Sequence, residues 1–175
     1  AVDEEGRFVY RRRGTLQRIK GWGKDPLLAV LCLVEAFGPS VFSHWGPDGE
    51  PVGKRRPNAL VQIFALKQEQ TANTFDMFHV LVGDRLRREY GVDVRLQIVR
   101  GCNNTARIEG NRCTFALLNE VQHWLPQNNG QQLKNTVEGN TTKMRGRYMS
   151  ITNAYKPGEG SVAEDKRDAF MQSLE

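Results

Sequence analysis

The segment Cys113-Thr-Phe-Ala-Leu-Leu is apolar at nearly every position and is closed by Asn119-Glu120. A strand with one wet face alternates polar and apolar residues. An apolar run of this length marks a strand covered on both faces, which is the habit of parallel sheets. A chain built around such a strand needs helices on both sides of it. At 175 residues this chain is long enough for one domain with a real core.

The remaining patterns supply the partners. Residues 8–17 read as one or two strands broken by Arg11-Arg12-Arg13. Residues 26–37 read as a helix, with Pro26 tolerated in its first turn and Gly38-Pro39 stopping it. Residues 44–57, rich in Gly and Pro, read as a surface loop. Residues 60–66 form a strand. Residues 68–82 form a helix with Phe75, Phe78, His79 and Val82 on one face, extended by 84–90 and ended by Gly91. Residues 92–99 alternate as a strand, 131–143 form a polar helix, 147–153 a strand and 161–174 a charged amphipathic helix. Strands alternating with helices give a three-layer α/β fold with a largely parallel sheet. No internal repeat is visible.

In such sheets the ligand sits beyond the carboxyl ends of the strands. Three polar groups fall there: Gly21-Trp22-Gly23-Lys24-Asp25, Asn119-Glu120 and Thr152-Asn153. A Gly-rich turn ending in Gly-Lys and leading into a helix presents backbone N–H groups and an ammonium to a triphosphate. A buried strand ending in a carboxylate positions water against that phosphate. The pair points to a P-loop ATPase of ASCE-like organisation. Lys24 grips the phosphates, Glu120 polarises the attacking water and Thr152-Asn153 sense the γ-phosphate. Both motifs are altered. Arg18 stands where G-x-x-x-x-G-K-[ST] has its first Gly, and Asp25 replaces the Ser/Thr. Asn119 replaces the usual Walker B Asp. The same residues also make a good helix start on their own, with Asp25 as N-cap and Pro26 at the first helical position.

We expect Asp25 and Asn119 to be one exchange, with the Asn119 amide donating to Asp25 and both offering oxygen to Mg²⁺, directly or through water. His123 follows Glu120 by three residues, but a Glu-x-x-His pair needs a second such pair to hold metal, so His123 reads as packed or supporting. Phe75, Met77, Phe78 and Val82 read as core. Arg107, Arg112, Arg145 and Arg147 are candidate charge-stabilising arginines.

Net charge is +5, and the excess is clustered at 11–13, 54–56, 85–88 and 143–147. That suits a polyanion partner, bound electrostatically and without a base-reading motif. The longest apolar run, 27–37, contains Glu35 and is too short to span a bilayer. The acidic start Ala1-Val2-Asp3-Glu4-Glu5 has no signal-peptide pattern, and the missing Met implies a processed chain or an excised piece. Three scattered cysteines, Cys32, Cys102 and Cys113, fit a reducing compartment and neither a disulfide framework nor a zinc site.

Several segments resemble one family in the right order. Arg18-Ile-Lys-Gly-Trp-Gly-Lys-Asp-Pro-Leu is similar to the variant Walker A of large terminase subunits from tailed phages of actinobacteria. Lys67-Gln-Glu-Gln-Thr-Ala-Asn-Thr resembles their next strand-to-helix junction. Cys113 to Trp124 resembles their Walker B segment, and Ser150-Ile-Thr-Asn-Ala-Tyr with Pro157-Gly-Glu-Gly-Ser their coupling motif. The resemblance implies an ATP- and Mg²⁺-dependent motor that drives double-stranded DNA into a procapsid. It would work as a homo-oligomeric ring on the portal protein with the small terminase subunit, in the host cytoplasm and with no membrane. By position, Arg18, Lys20, Gly21, Trp22, Gly23, Lys24 and Asp25 would bind nucleotide. Glu120 would be the catalytic carboxylate, and Thr152-Asn153 would couple hydrolysis to movement. Residues 1–175 would be a single ATPase domain or a fragment of it. The nuclease domain would be absent and the upstream adenine-contacting segment missing, so nucleotide affinity of this chain alone would be weak. The altered motifs leave two other readings: a non-hydrolytic P-loop module binding DNA or portal, and a helicase-like ATPase.

Overall fold

The computed structural model describes residues 12–92, 94 and 113–175. The expected strand over 92–99 falls, but for Val92 and Val94, outside the described residues. So do Cys102, Arg107 and Arg112.

Four strands form one parallel sheet in the order β1 (Arg13–Gln17), β6 (Arg147–Thr152), β5 (Phe115–Asn119), β4 (Val61–Phe64). The intervening elements are the hairpin β2 (Val41–Trp45) and β3 (Pro51–Lys54), and helices α1 (Lys24–Phe37), α2 (Gln68–Leu81), α3 (Asp84–Tyr90), α4 (Gly130–Lys143) and α5 (Val162–Gln172). The mixed α/β class and the largely parallel sheet are as the sequence implies.

All five residues of β5 are buried. The pleat sends them to two cores. Phe115 and Leu117 meet Leu28 and Cys32 of α1, Phe78 of α2 and Ile151 of β6. Ala116 and Leu118 meet Leu133 and Val137 of α4 and Val162 and Ala163 of α5. Each fully buried leucine contributes roughly 1.5–3 kcal/mol. Hence the unbroken apolar run: both faces of this strand are interior, giving three layers. β1 differs. Among the described residues it pairs only with β6, in register from Arg13–Tyr148 to Gln17–Thr152, and its residues alternate between exposed and half-buried. A strand at a sheet edge needs less apolar sequence, which is why β1 can hold Arg13, Thr15 and Gln17 at its exposed positions.

Residues 44–57 are not a loop. They hold part of β2, the turn Gly46–Gly49 and β3, paired antiparallel. Pro51 opens β3, where a missing N–H does no harm. Phe42 and Trp45 put their ring centroids 5.3 Å apart. Gly and Pro read as loop punctuation hid two short strands. The helix predicted over 68–82 with an extension is two helices, because Gly83 is extended and caps α3; Gly91 (φ 62°) ends it.

Candidate active site

β1 and β5 end at the same edge of the sheet, one strand apart. The turn from β1 to α1 carries Gly21 at φ 86° and Gly23 at φ 80°. Only glycine adopts these left-handed angles without strain. Gly23 is the N-cap of α1, so Lys24 and Asp25 lie inside its first turn. The alternative of Asp25 as N-cap is thereby corrected, as the left-handed glycine has taken the capping position. Trp22, between the glycines, turns inward against the α1-side core, and its Nε1 is buried without a partner. Arg18 and Lys20 are exposed; the Arg18 N–H donates to the Thr152 carbonyl at 3.2 Å and ties the turn to β6.

Lys24 lies between two carboxylates. Its Nζ is 3.1 Å from Asp25 Oδ1 and 3.3 Å from Glu120 Oε1, and all three side chains are largely shielded, at 13%, 24% and 18% exposure. Residues 95 positions apart in sequence thus share one cleft, formed by the starts of α1 and α2 and the end of β5. Glu120 has left-handed backbone at φ 57°. For a residue with a Cβ this costs on the order of 1–3 kcal/mol and persists only where the surroundings hold it. Trp124 holds it: its Nε1 donates to the Asn119 carbonyl at 3.1 Å, and its ring is fully buried.

Helix α2 supplies the groups the sequence reading did not single out. Gln70 Nε2 donates to Glu120 Oε2 at 2.6 Å. Gln70 Oε1 accepts from the Lys67 N–H at 3.2 Å, which fixes the amide orientation. The Gln70 carbonyl accepts from Asn119 Nδ2 at 2.7 Å. One turn further along, the Thr74 hydroxyl donates to Asp25 Oδ1 at 2.7 Å. A hydroxyl, which the sequence lacks at position 25, is therefore present beside Asp25, delivered from α2.

This corrects the expected bond between Asn119 and Asp25. The Asn119 amide is committed to Gln70, and Asp25 takes its neutral donor from Thr74, because the Gln70–Thr74 face of α2 reaches both. Asn119 Oδ1 is buried and unpartnered. Near the sheet edge, the buried Gln122 accepts from the Thr152 hydroxyl at 2.8 Å and from the Asn153 N–H at 3.2 Å. It links Thr152-Asn153 to the turn that carries Glu120. Polar Gln and Thr on a helix read as solvent-facing, yet Thr74 is fully buried and Gln122 nearly so. The visible signal was the segment 67–74 itself, without roles inside it.

His123 is exposed rather than packed, and lines a cleft of about 500 Å³ with Lys67, Gln70, Leu125, Asn128 and Asn129. Phe75, Met77 and Phe78 are half-buried, Phe78 packing against the α1-side core, and Val82 is buried. Arg145 and Arg147 are not at this site; they precede or open β6, whose other end carries Thr152. Five residue steps at about 3.3 Å place Arg147 roughly 16 Å from Thr152. Among the described residues no group of three His, Cys, Asp or Glu could hold a metal by itself, and no helix is long and apolar enough to cross a membrane.

No family model matches the chain. It is 42% identical to the Gene 13 protein of Mycobacterium phage L5, over 98% of this chain and 31% of that protein. It is 44% identical to the Gene 13 protein of Mycobacterium phage D29, over 94% of this chain and 30% of that protein. The chain thus spans less than a third of the length of these relatives. Its fold matches the HK97 bacteriophage large terminase with a TM-score of 0.66 at 15% identity, over 94% of this chain and 33% of that one. By sequence the chain is similar to a part of the mycobacteriophage Gene 13 proteins, and its fold is similar to that of the HK97 large terminase.

Proposed function

We propose that this chain is the ATP-hydrolysing core of a phage DNA-packaging motor, coupling hydrolysis to movement of double-stranded DNA into a procapsid. The observation that carries this reading is Lys24 held between Asp25 and Glu120 at the carboxyl end of a parallel sheet, beside a turn with two left-handed glycines. The free N–H groups at the start of α1 favour phosphate there. Lys24 would leave its carboxylates for the phosphates, and Gln70 would keep Glu120 aimed at water as it does so.

One ammonium against two carboxylates leaves a formal charge of −1, unfavourable for a triphosphate alone. A Mg²⁺ ion fits that deficit, and the unpartnered Asn119 Oδ1 fits a metal-bound water. Asp25 and Asn119 would hold the ion, directly or through water, and it would neutralise phosphate charge. Thr152-Asn153, bridged to the Glu120 turn by Gln122, would pass the state of the site to β6. The partners in this reading are duplex DNA, portal protein, the small terminase subunit and further copies of the chain in a ring, with the motor in the host cytoplasm and transiently on the procapsid portal.

Phosphate release from Mg-ATP, with the chain assembled with DNA and procapsids, tests this. Lys24→Ala and Glu120→Gln should each lower turnover by about 10²–10⁴-fold. Nucleotide binding with no phosphate release in the unaltered protein would refute hydrolysis. It would favour a non-hydrolytic module, for which the commitment of the Asn119 amide to Gln70 speaks. Stimulation by free DNA but not by procapsids would point to a helicase-like track.

A further inference from the structure

Three of the four basic clusters that the sequence spreads along the chain meet at the other end of the sheet. Arg12 precedes β1, Arg55 and Arg56 follow β3, Arg145 precedes β6 and Arg147 opens it. Arg12, Arg56, Arg145 and Arg147 line a cavity of about 360 Å³ with Val41 and Pro57. Arg55 and Arg56 line an adjoining one of about 390 Å³, which shares Arg56 and Pro57 with the first. Together they make one open groove with five guanidinium groups.

Like charges disperse unless they are held, and several of these are held. Arg147 donates to Glu35 Oε2 at 2.8 Å and to the Ser40 carbonyl. Arg56 donates to the Met144 carbonyl at 3.0 Å. Arg55 lies over the Phe37 ring, 5.3 Å from its centroid. Arg12 and Arg145 are exposed, and Arg145 projects from left-handed backbone at φ 49°. Among the described residues, Glu35 is the only carboxylate paired with any of the five. Five guanidinium charges less that one carboxylate leave the groove at +4.

We propose that this groove binds the sugar–phosphate backbone of double-stranded DNA without reading its sequence. Guanidinium groups match phosphate oxygens in geometry and stay charged at every working pH. A charge excess spread over two joined cavities suits a continuous polyanion better than a single small anion. The choice of duplex DNA as that polyanion rests on the packaging reading above. The groove lies roughly 16 Å along β6 from the Lys24 end, so DNA and nucleotide occupy different sites.

The test is anisotropy of a labelled DNA duplex titrated with the chain, over a series of salt concentrations and without nucleotide. Arg12→Gln with Arg145→Gln removes two exposed guanidinium groups that anchor no other side chain among the described residues. The pair should weaken binding by about tenfold or more and lower the slope of log affinity against log salt by about two. Arg85→Gln with Arg88→Gln removes the same charge from exposed α3, outside the groove, and should leave both nearly unchanged. A saturating excess of ATP should not displace the duplex. Equal losses from the two pairs, displacement by ATP, or no duplex binding by the unaltered chain would each overturn the groove. So would unchanged DNA affinity with lost self-association, which would make it a seat for an acidic protein face. Because the assay reads duplex binding and not phosphate release, its failure is distinguishable from failure of the ATPase reading.

Discussion

At the carboxyl ends of β1 and β5, two carboxylates close on one ammonium; at the amino ends of β1 and β6, five guanidinium groups gather, of which, among the described residues, only Arg147 is paired with a carboxylate. Both ends belong to one parallel sheet, and both gather residues from distant parts of the chain. The sign of the excess sets what each can accept. The first end is short of positive charge and would take a phosphate only with a cation. The second is short of negative charge and would take phosphates without one. A basic residue in the sequence is therefore no guide to its role until its neighbours are known. Lys24, Arg56 and Arg147 are all partly buried cations, and only the carboxylates around them differ.

That contrast can be tested most severely at Gln70, which touches Asn119 at the end of β5 and Glu120 just beyond it. Gln70→Glu would add a third carboxylate against Glu120 and remove the donor to it. Turnover should fall by two orders of magnitude or more. Gln70→Leu removes the donor alone. A hydrogen bond to a charged group is worth about 1.5–3 kcal/mol, so turnover should fall roughly ten- to a hundredfold. Equal effects of the two variants would show that charge excess at this end is not what matters.

A smaller effect is expected at Thr74. Thr74→Val takes the hydroxyl from Asp25 and leaves the carboxylate, among the described residues, with Lys24. At about 1 kcal/mol, the apparent Mg²⁺ requirement should rise roughly fivefold. A Mg²⁺ titration unchanged in this variant would separate Thr74 from the missing P-loop hydroxyl.

The least change is expected at the thiols. Burial pushes Cys32 up to about 12, helped by the nearby Glu35 charge, and burial pushes Cys113 up to about 11. The thiolate is the reactive form, and its population falls tenfold for each pH unit below the pKa. Neither residue should be alkylated in the folded chain at pH 8, while both should react once denaturant opens it. Rapid native labelling of Cys113, where the chain enters β5, would show that the sheet's amino end opens on its own.

The sequence was most legible where burial was complete. β5 announced itself because both of its faces are interior; Glu120 was legible as a carboxylate just past that strand, and Lys24 as the end of a Gly-rich turn leading into a helix. β2 and β3 were not, since Pro51 and the turn glycines mask two short strands lying apart from the main sheet. The partners from α2 were hidden for another reason. Gln70, Thr74 and Gln122 are neutral polar residues, and nothing in their identity says whether they face water or a carboxylate. The exchange expected between Asp25 and Asn119 rested on spacing within two motifs. It could not anticipate that a third element would lie against both. The arginines were legible as clusters but not as a groove, because 12, 56 and 147 are brought together only by the parallel stacking of strands that start at the same end.

β6 is hydrogen-bonded along its length on both sides, from Arg13–Tyr148 to Gln17–Thr152 on one flank and from Phe115–Arg147 to Asn119–Ile151 on the other. A strand clamped in that way cannot shorten or coil. A displacement imposed on Thr152 by its neighbours Gln122 and Asn153 would reach Arg147 with little loss, or else shear two ladders at once. In mechanical terms the strand is a pushrod in a guide, with the Lys24 end and the arginine end as its two bearings.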